Sequence, residues 1–295
     1  MNGEESMKKE KLYYRLEEQI LIFDGAMGTM LMDRGLKMGQ CPECFNLEYP
    51  DTVLQIHREY VKAGADIIQT NSFGGNSMRL KDFHMESQFV EINQRAVDIA
   101  LKAAGGNCLV AGNIGPVGKP WDDARKDEVY QTFYEQGKIL SSEGVALINI
   151  ETMMDVREAV LAVKAVKEIK DIPIVCTMTF GKDLKTLDGS TPEMAALHLK
   201  EAGADIIGSN CGSDMEDMMT VMRKMVQAVP KYWSVKPNAG LPKKIGNQMV
   251  YPLMPEDIAY YGRKFAELGV HIIGGCCGTT PAHIQAINEA VRSIK

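Results

Sequence analysis

The 295-residue sequence predicts an α/β chain folded as a single (β/α)8 TIM barrel with an extra helix at its N-terminus. Three observations predict it. First, eight short runs rich in β-branched and apolar residues alternate with longer helical patterns, and their continuous apolar character suits parallel strands covered on both faces. Second, the string AGADII occurs at 63–68 and again at 202–207, with looser copies EGVALI at 143–148 and LGVHII at 268–273. In each copy a glycine closes a helix and a strand follows at once. Third, the four copies introduce the second, fourth, sixth and eighth candidate strands, so the unit keeps step with every second strand, as a repeating ring would.

The candidate strands are 20–23, 66–70, 108–114, 146–151, 172–178, 205–210, 233–238 and 270–275. Residues 1–18 read as a helical extension on the outside or end of the barrel, and 19–295 as the barrel itself. No linker rich in Pro, Gly or Ser divides the chain. An open doubly wound sheet would be expected to show a Gly-rich phosphate turn after its first strand, but DGAMG (24–28) does not match GxGxxG.

Composition narrows the function classes. The net charge of -6 argues against nucleic acid or an anionic membrane as partner. No apolar run approaches the roughly 20 residues that span a bilayer. The start, MNGEESMKKEKLYY, lacks the apolar stretch of a secretory leader, so a cytoplasmic protein is expected. Seven cysteines, an odd number, argue against a disulfide framework and leave thiols for metal or catalysis.

In a barrel of this kind chemistry sits at the C-terminal ends of the strands. The sixth strand ends in GSNC, which puts Cys211 at its tip. The eighth ends in GGCCGTTP (274–281), which puts Cys276 and Cys277 at its tip. Neighbours in a regular strand point to opposite faces, so this pair shares a metal only if the chain leaves strand geometry. Gly274, Gly275 and Gly278 supply that freedom, and Thr280 and Pro281 then read as the N-cap and first residue of the last helix. Three thiolates suit Zn²⁺, with the fourth position open for catalysis. A thiol entering that position loses its proton near neutral pH and remains a nucleophile. Asn238, in KPNAG at the seventh tip, carries an amide oxygen able to fill the position as a labile fourth ligand when substrate is absent.

Other cysteines read blandly. Cys108 and Cys176 are expected mid-strand as small hydrophobes. The CPEC segment (41–44) has no partner pair and reads as a loop lid with ordinary thiols. His271 reads as packing and His283 as solvated. Met215, Met218, Met219, Met222 and Met225 follow helical spacing and read as core.

Asp24 ends the first strand and Glu151 the fourth. Two carboxylates facing one cavity suit an ammonium group. The polar run Thr70-Asn71-Ser72 at the second tip offers N–H and hydroxyl donors for a carboxylate. Together they describe a site for an amino acid whose thiol reaches the metal.

The segments DGAMGT, IET, GSNC, KPNAG and GGCCGTTPAHI together resemble the zinc- and homocysteine-dependent S-methyltransferases over about residues 18–293. The likeness is closest to the homocysteine-binding module of cobalamin-dependent methionine synthase, through PNAGLP (237–242) and CPE-x-x-N (41–46). The resemblance implies a (β/α)8 barrel, zinc on Cys211, Cys276 and Cys277, the homocysteine amino group on Asp24 and Glu151, and its carboxylate near Gly25, Thr70, Ser72 and Phe73. Methionine would be the product. Counterparts of that enzyme's folate, cobalamin and activation modules are not expected within these 295 residues. The DxHxxG loop that ligates cobalamin is also missing, because Asp82-Phe83-His84 is followed by Ser87 where glycine is needed.

The methyl donor expected from this resemblance is methylcobalamin on a separate corrinoid protein. S-methylmethionine, S-adenosylmethionine or a betaine is the alternative, and a cationic donor of that kind would favour aromatic walls, for which Trp121, Tyr130 and Trp233 are candidates. A non-catalytic zinc protein or corrinoid-binding adaptor is the third reading.

Overall fold

A computed structural model describes residues 3–106, 108–245 and 248–294; the first two residues of the expected N-terminal extension lie outside it. The barrel strands are β1 (Leu21–Ile22), β2 (Ile67–Gln69), β3 (Leu109–Ile114), β4 (Leu147–Met153), β5 (Ile174–Met178), β6 (Ile206–Asn210), β7 (Tyr232–Lys236) and β10 (Ile272–Ile273), so all eight runs form strands. They pair in parallel in the order β1-β10-β7-β6-β5-β4-β3-β2. A parallel bridge from Phe23 to Ile67 joins β1 to β2 and closes the ring. Two short strands, β8 (Lys243–Ile245) and β9 (Gln248–Val250), form a separate antiparallel pair after β7.

The main covering helices are α4 (Pro50–Lys62), α6 (Phe89–Ala104), α7 (Lys126–Ser142), α8 (Val156–Ile169), α9 (Pro192–Ala202), α10 (Met215–Ala228), α11 (Pro255–Glu267) and α12 (Pro281–Arg292). Three short helices decorate the early loops: α2 (Gly28–Met32), α3 (Phe45–Glu48) and α5 (Ser77–Lys81). The repeat glycines do what their spacing predicts. Gly64, Gly144, Gly203 and Gly269 all have φ between +88° and +99°, the left-handed turn that ends each helix before the next strand. On α10, Met215, Met218, Met222 and Met225 are buried and Met219 is partly so, as core packing requires.

Alternation along the strands gives the barrel interior two characters. Low in the barrel the inward positions are Leu21, Phe23, Ile67, Ala111, Leu147, Val175, Ile206 and Ile272, all fully buried in one apolar cluster. One step up each strand, the inward positions become Gln69, Asn113, Asn149, Thr177 and Ser234, all buried. At Gly208 a Cβ would fall 1.7 Å from the Ser234 carbonyl oxygen, so β6 and β7 approach there only without a side chain.

The N-terminal helix, α1 (Gly3–Glu18), covers the lower end: Leu12 and Leu16 join the apolar cluster. The aspartates of the two AGADII copies anchor it. Asp66 accepts the Ile22 N–H at 2.9 Å and pairs with Arg15, while Asp205 accepts the Ile174 N–H at 3.0 Å and the Tyr13 hydroxyl at 2.8 Å. Among the described residues, no helix is long and apolar enough to cross a membrane.

Candidate metal and amino-acid site

The three cysteines converge. The sulfurs of Cys211, Cys276 and Cys277 lie within 4.8 Å of one another, and each residue is half-buried, within reach of an incoming ligand. Backbone bonds lace the three strand tips together. Cys211 N–H donates to Lys236 O at 3.2 Å, Cys276 N–H to Pro237 O at 2.8 Å and Ala239 N–H to Cys277 O at 3.0 Å. Strand β10 ends at Ile273, and the chain turns through Cys277-Gly278, which lets adjacent cysteines face one point. Gly278 has φ +79°, and a Cβ there would strike the Tyr251 ring at 2.1 Å. Cys211 itself sits at φ +59°, a costly conformation for a residue with a side chain.

The cluster favours negative charge on Cys211. The Cys276 and Cys277 thiols, the Gly212 N–H and the Asn238 side chain all point at its sulfur and pull its pKa down to about 3. Cys277, donating to Cys211, is pushed up to about 12. The Tyr251 hydroxyl in turn bonds Cys277. Asn238 is buried, and its Oδ1 has no hydrogen-bond partner among the described residues. Tetrahedral zinc with Zn–S near 2.3 Å sets its sulfurs about 3.8 Å apart. The donor set, the close sulfurs and the unpaired acceptor therefore fit such an ion.

Asp24 and Glu151 are both buried at the same mouth. Asp24 Oδ2 accepts the Gln69 N–H at 2.9 Å, whereas Oδ1 has no partner among the described residues. Burial pushes the Asp24 pKa well up, because an unpaired carboxylate charge is expensive out of water. Glu151 continues the inward alternation of Leu147 and Asn149, and β4 becomes irregular at this point. Ile150 pairs with Cys176 but Met153 with Met178, and Thr152 takes φ +60° between them.

Glu151 has partners that sequence reasoning missed. Asn113 Nδ2 donates to its Oε1 at 2.9 Å, and Lys236, fully buried on β7, pairs with Oε2. Lys236 also donates to Gln69 Oε1 at 2.9 Å. Asn210 was missed too. Its Oδ1 accepts the Thr152 N–H at 2.8 Å and the Thr177 hydroxyl at 2.7 Å, and its Nδ2 donates to the Thr152 hydroxyl at 2.7 Å and faces the Cys276 sulfur at 3.7 Å. It thereby joins the carboxylate tip to the cysteine tip. The available signal was alternation: Lys236, Asn210 and Gln69 occupy inward positions that an apolar barrel would fill with Val or Ile.

Thr70 and Ser72 are buried with their hydroxyls 2.6 Å apart, and Ser72 donates to Asn113 O at 2.7 Å. These hydroxyls shape the loop 70–75. Gly25 lies against Tyr60 and Thr279, and Phe73 packs its ring on Gly115.

The CPEC segment is not a lid. Pro42–Cys44 forms a 3-10 turn packed on loop 70–75. Buried Glu43 accepts the Gly74 N–H at 2.6 Å, Pro42 O accepts from Asn71 at 2.9 Å, and Asn46 donates to Asn71 O at 2.8 Å. Glu43 and Asn46 are buried polar side chains that need partners, and the loop supplies them. Cys41 is buried against Glu43, and Cys44 lies against Met85. Two further expectations are corrected. His283 is buried rather than solvated, because it completes the capping box of α12 and bonds Leu253 O at 3.0 Å. Cys108 is half-buried just before β3, while Cys176 is fully buried within β5. None of the three aromatic candidates borders the cysteines. Trp121 lies under Arg157, Tyr130 bonds Glu168, and Trp233 is buried between strands and helices. An aromatic that does stand at the cysteines is Tyr251.

Residues 21–291 match the family model described as homocysteine S-methyltransferase. The chain belongs to this family. It is 32% identical over 300 residues to a methionine synthase of Mycobacterium tuberculosis, covering 95% of this chain and 25% of that protein. A methionine synthase of Mycobacterium leprae is 32% identical over 296 residues, covering 94% and 24%. The chain thus spans about a quarter of the length of these relatives. The metallated homocysteine methyltransferase MmuM of Escherichia coli superposes with a TM-score of 0.78 at 22% identity, covering 92% of this chain and 96% of that one, a likeness of fold.

Proposed function

We propose that this chain transfers a methyl group to the thiol of homocysteine, giving methionine, with zinc held by Cys211, Cys276 and Cys277. One observation carries the reading. In a homocysteine S-methyltransferase family member, three sulfurs within 4.8 Å share a barrel mouth with a buried, unpaired carboxylate oxygen of Asp24. Bound zinc would supply Lewis acidity that lowers the substrate thiol's pKa and keeps its sulfur nucleophilic. Asp24 and Glu151 take the substrate ammonium. Gly25 and the loop holding Thr70, Ser72 and Phe73 take its carboxylate, with Glu43 bracing that loop from behind. Asn238, with its unpaired oxygen, would help hold the ion as a labile fourth ligand.

The donor in this reading is methylcobalamin carried by a corrinoid protein. Its support is the 32% identity to methionine synthases and the PNAGLP and CPE-x-x-N segments. A sulfonium or betaine donor calls for an aromatic wall, whereas Trp121, Tyr130 and Trp233 are engaged elsewhere and the Tyr251 hydroxyl is engaged by Cys277. The test is methionine formation by zinc-loaded protein from L-homocysteine with each donor in turn: methylcobalamin free or protein-bound, S-methylmethionine, S-adenosylmethionine and betaine. Methionine from methylcobalamin is expected. Methionine from the others alone would reassign the donor, and none from any would overturn the reading.

A further inference from the structure

A fully buried lysine beneath the amino-acid site demands a reason, because lysine is almost never fully buried unless paired. Lys236 is 0% exposed and projects from β7 into the barrel. Its Nζ has three neighbours: Glu151 Oε2, Gln69 Oε1 at 2.9 Å and the face of Phe23, whose ring centre is 4.5 Å away. Gln69 Oε1 is itself fixed by Asn149 Nδ2 at 2.9 Å. The lysine therefore stands on the apolar lower layer and holds the carboxylate above it.

The two carboxylates of the mouth are consequently unlike. Glu151 is gripped on both oxygens, by Asn113 and Lys236, while Asp24 keeps Oδ1 unpaired. Lys236 pairs with Glu151, so Oδ1 of Asp24 is the carboxylate oxygen left for an incoming cation. Without the lysine, Glu151 Oε2 would be left in the buried cavity without that partner. Glu151 would also lose the contact that aims it.

Resting on the homocysteine reading above, we infer that Lys236 is a positioning residue for substrate recognition: it holds Glu151 aimed so that the site selects thiols bearing an amino group. A lysine that merely ties β4 to β7 would be indifferent to whether the ligand carries an amine.

The test compares L-homocysteine with 4-mercaptobutanoate, which keeps the thiol and carboxylate and lacks the amine, by calorimetric binding to zinc-loaded wild type and Lys236→Met. Wild type should prefer homocysteine. In Lys236→Met homocysteine should weaken at least about tenfold while mercaptobutanoate stays within about threefold, the pattern of a lost partner in a buried charge pair, with zinc content unchanged. A variant that keeps the wild-type preference, or loses both ligands equally, overturns the inference alone. Wild type without any preference overturns the homocysteine reading with it. Should the variant fold poorly, the wild-type crystal structure with homocysteine decides: Lys236 on Glu151 and the ligand ammonium on Glu151 support the role, and Lys236 swung off Glu151 overturns it.

Discussion

The two ends of the barrel are made from the same strands and built to opposite rules. At the lower end α1 seals an apolar layer, and the rim aspartates Asp66 and Asp205 satisfy strand N–H groups and anchor the helix. At the upper end Cys211 and Thr152 hold left-handed backbone, Asp24 and Asn238 keep unpaired oxygens, and a lysine lies buried. Strain and unsatisfied acceptors cost stability wherever they occur. Their concentration at one end marks the end shaped for a ligand, and the lower end supplies the stability that tolerates them.

Three substitutions would break or sharpen that contrast. The largest effect belongs to the upper end. Cys277→Ala should lose bound zinc and reduce methionine formation roughly a thousandfold, the several kcal/mol that a catalytic metal supplies. The unfolding midpoint of the metal-free protein should hardly change. Retained zinc with full activity would remove Cys277 from the site.

At the lower end the signs reverse. Leu16→Ala should destabilise the fold by about 2–5 kcal/mol in urea unfolding, the range for truncating a buried leucine. The KM for homocysteine should stay at the wild-type value. A large KM change with little loss of stability would mean that the two ends are not separable.

The smallest effect lies on the covering helices, in two buried titratable groups, His57 on α4 and Glu158 on α8. His57, whose ring nitrogens have no partner among the described residues, is held neutral by burial, its pKa lowered to about 4. Its contribution is full above the ordinary histidine value and is lost as pH falls toward 4, because the unfolded chain binds the proton first. Glu158 is pushed up to about 7 by burial, so its contribution is full below the ordinary glutamate value and is lost as pH rises toward 7. Around pH 5 to 6.5 the two oppose. Glu158→Gln should therefore lose about 2 kcal/mol more than wild type between pH 6.5 and 5. Urea midpoints at both pH values check this, and parallel curves would refute it.

Much of this was legible in the chain. Each strand run, each repeat glycine and the capped start of α12 depends on neighbours a few residues away, and local periodicity reports such neighbours faithfully. The cysteines were legible because the ring order alone brings the tips of β6 and β10 near one another. The CPEC turn was misread as a lid because its spacing says nothing about Asn71 and Gly74, the partners that bury Glu43 and Asn46. His283 was misread because neither its bond to the Thr280 cap nor its bond to Leu253, across the preceding loop, is written in its spacing.

By itself the sequence determined the ring of eight strands, the thiols and carboxylates at their tips, and a helix before the first strand. Only the tertiary structure decided that this helix plugs the lower mouth, that Lys236 reaches Glu151 across 85 positions of chain, and that Asn210 joins Thr152 to Cys276. The physical reason is that alternation tells which residues face inward, whereas the stagger between strands sets which of them meet at one height. That stagger is set by the closure of the whole barrel and is written in no single segment.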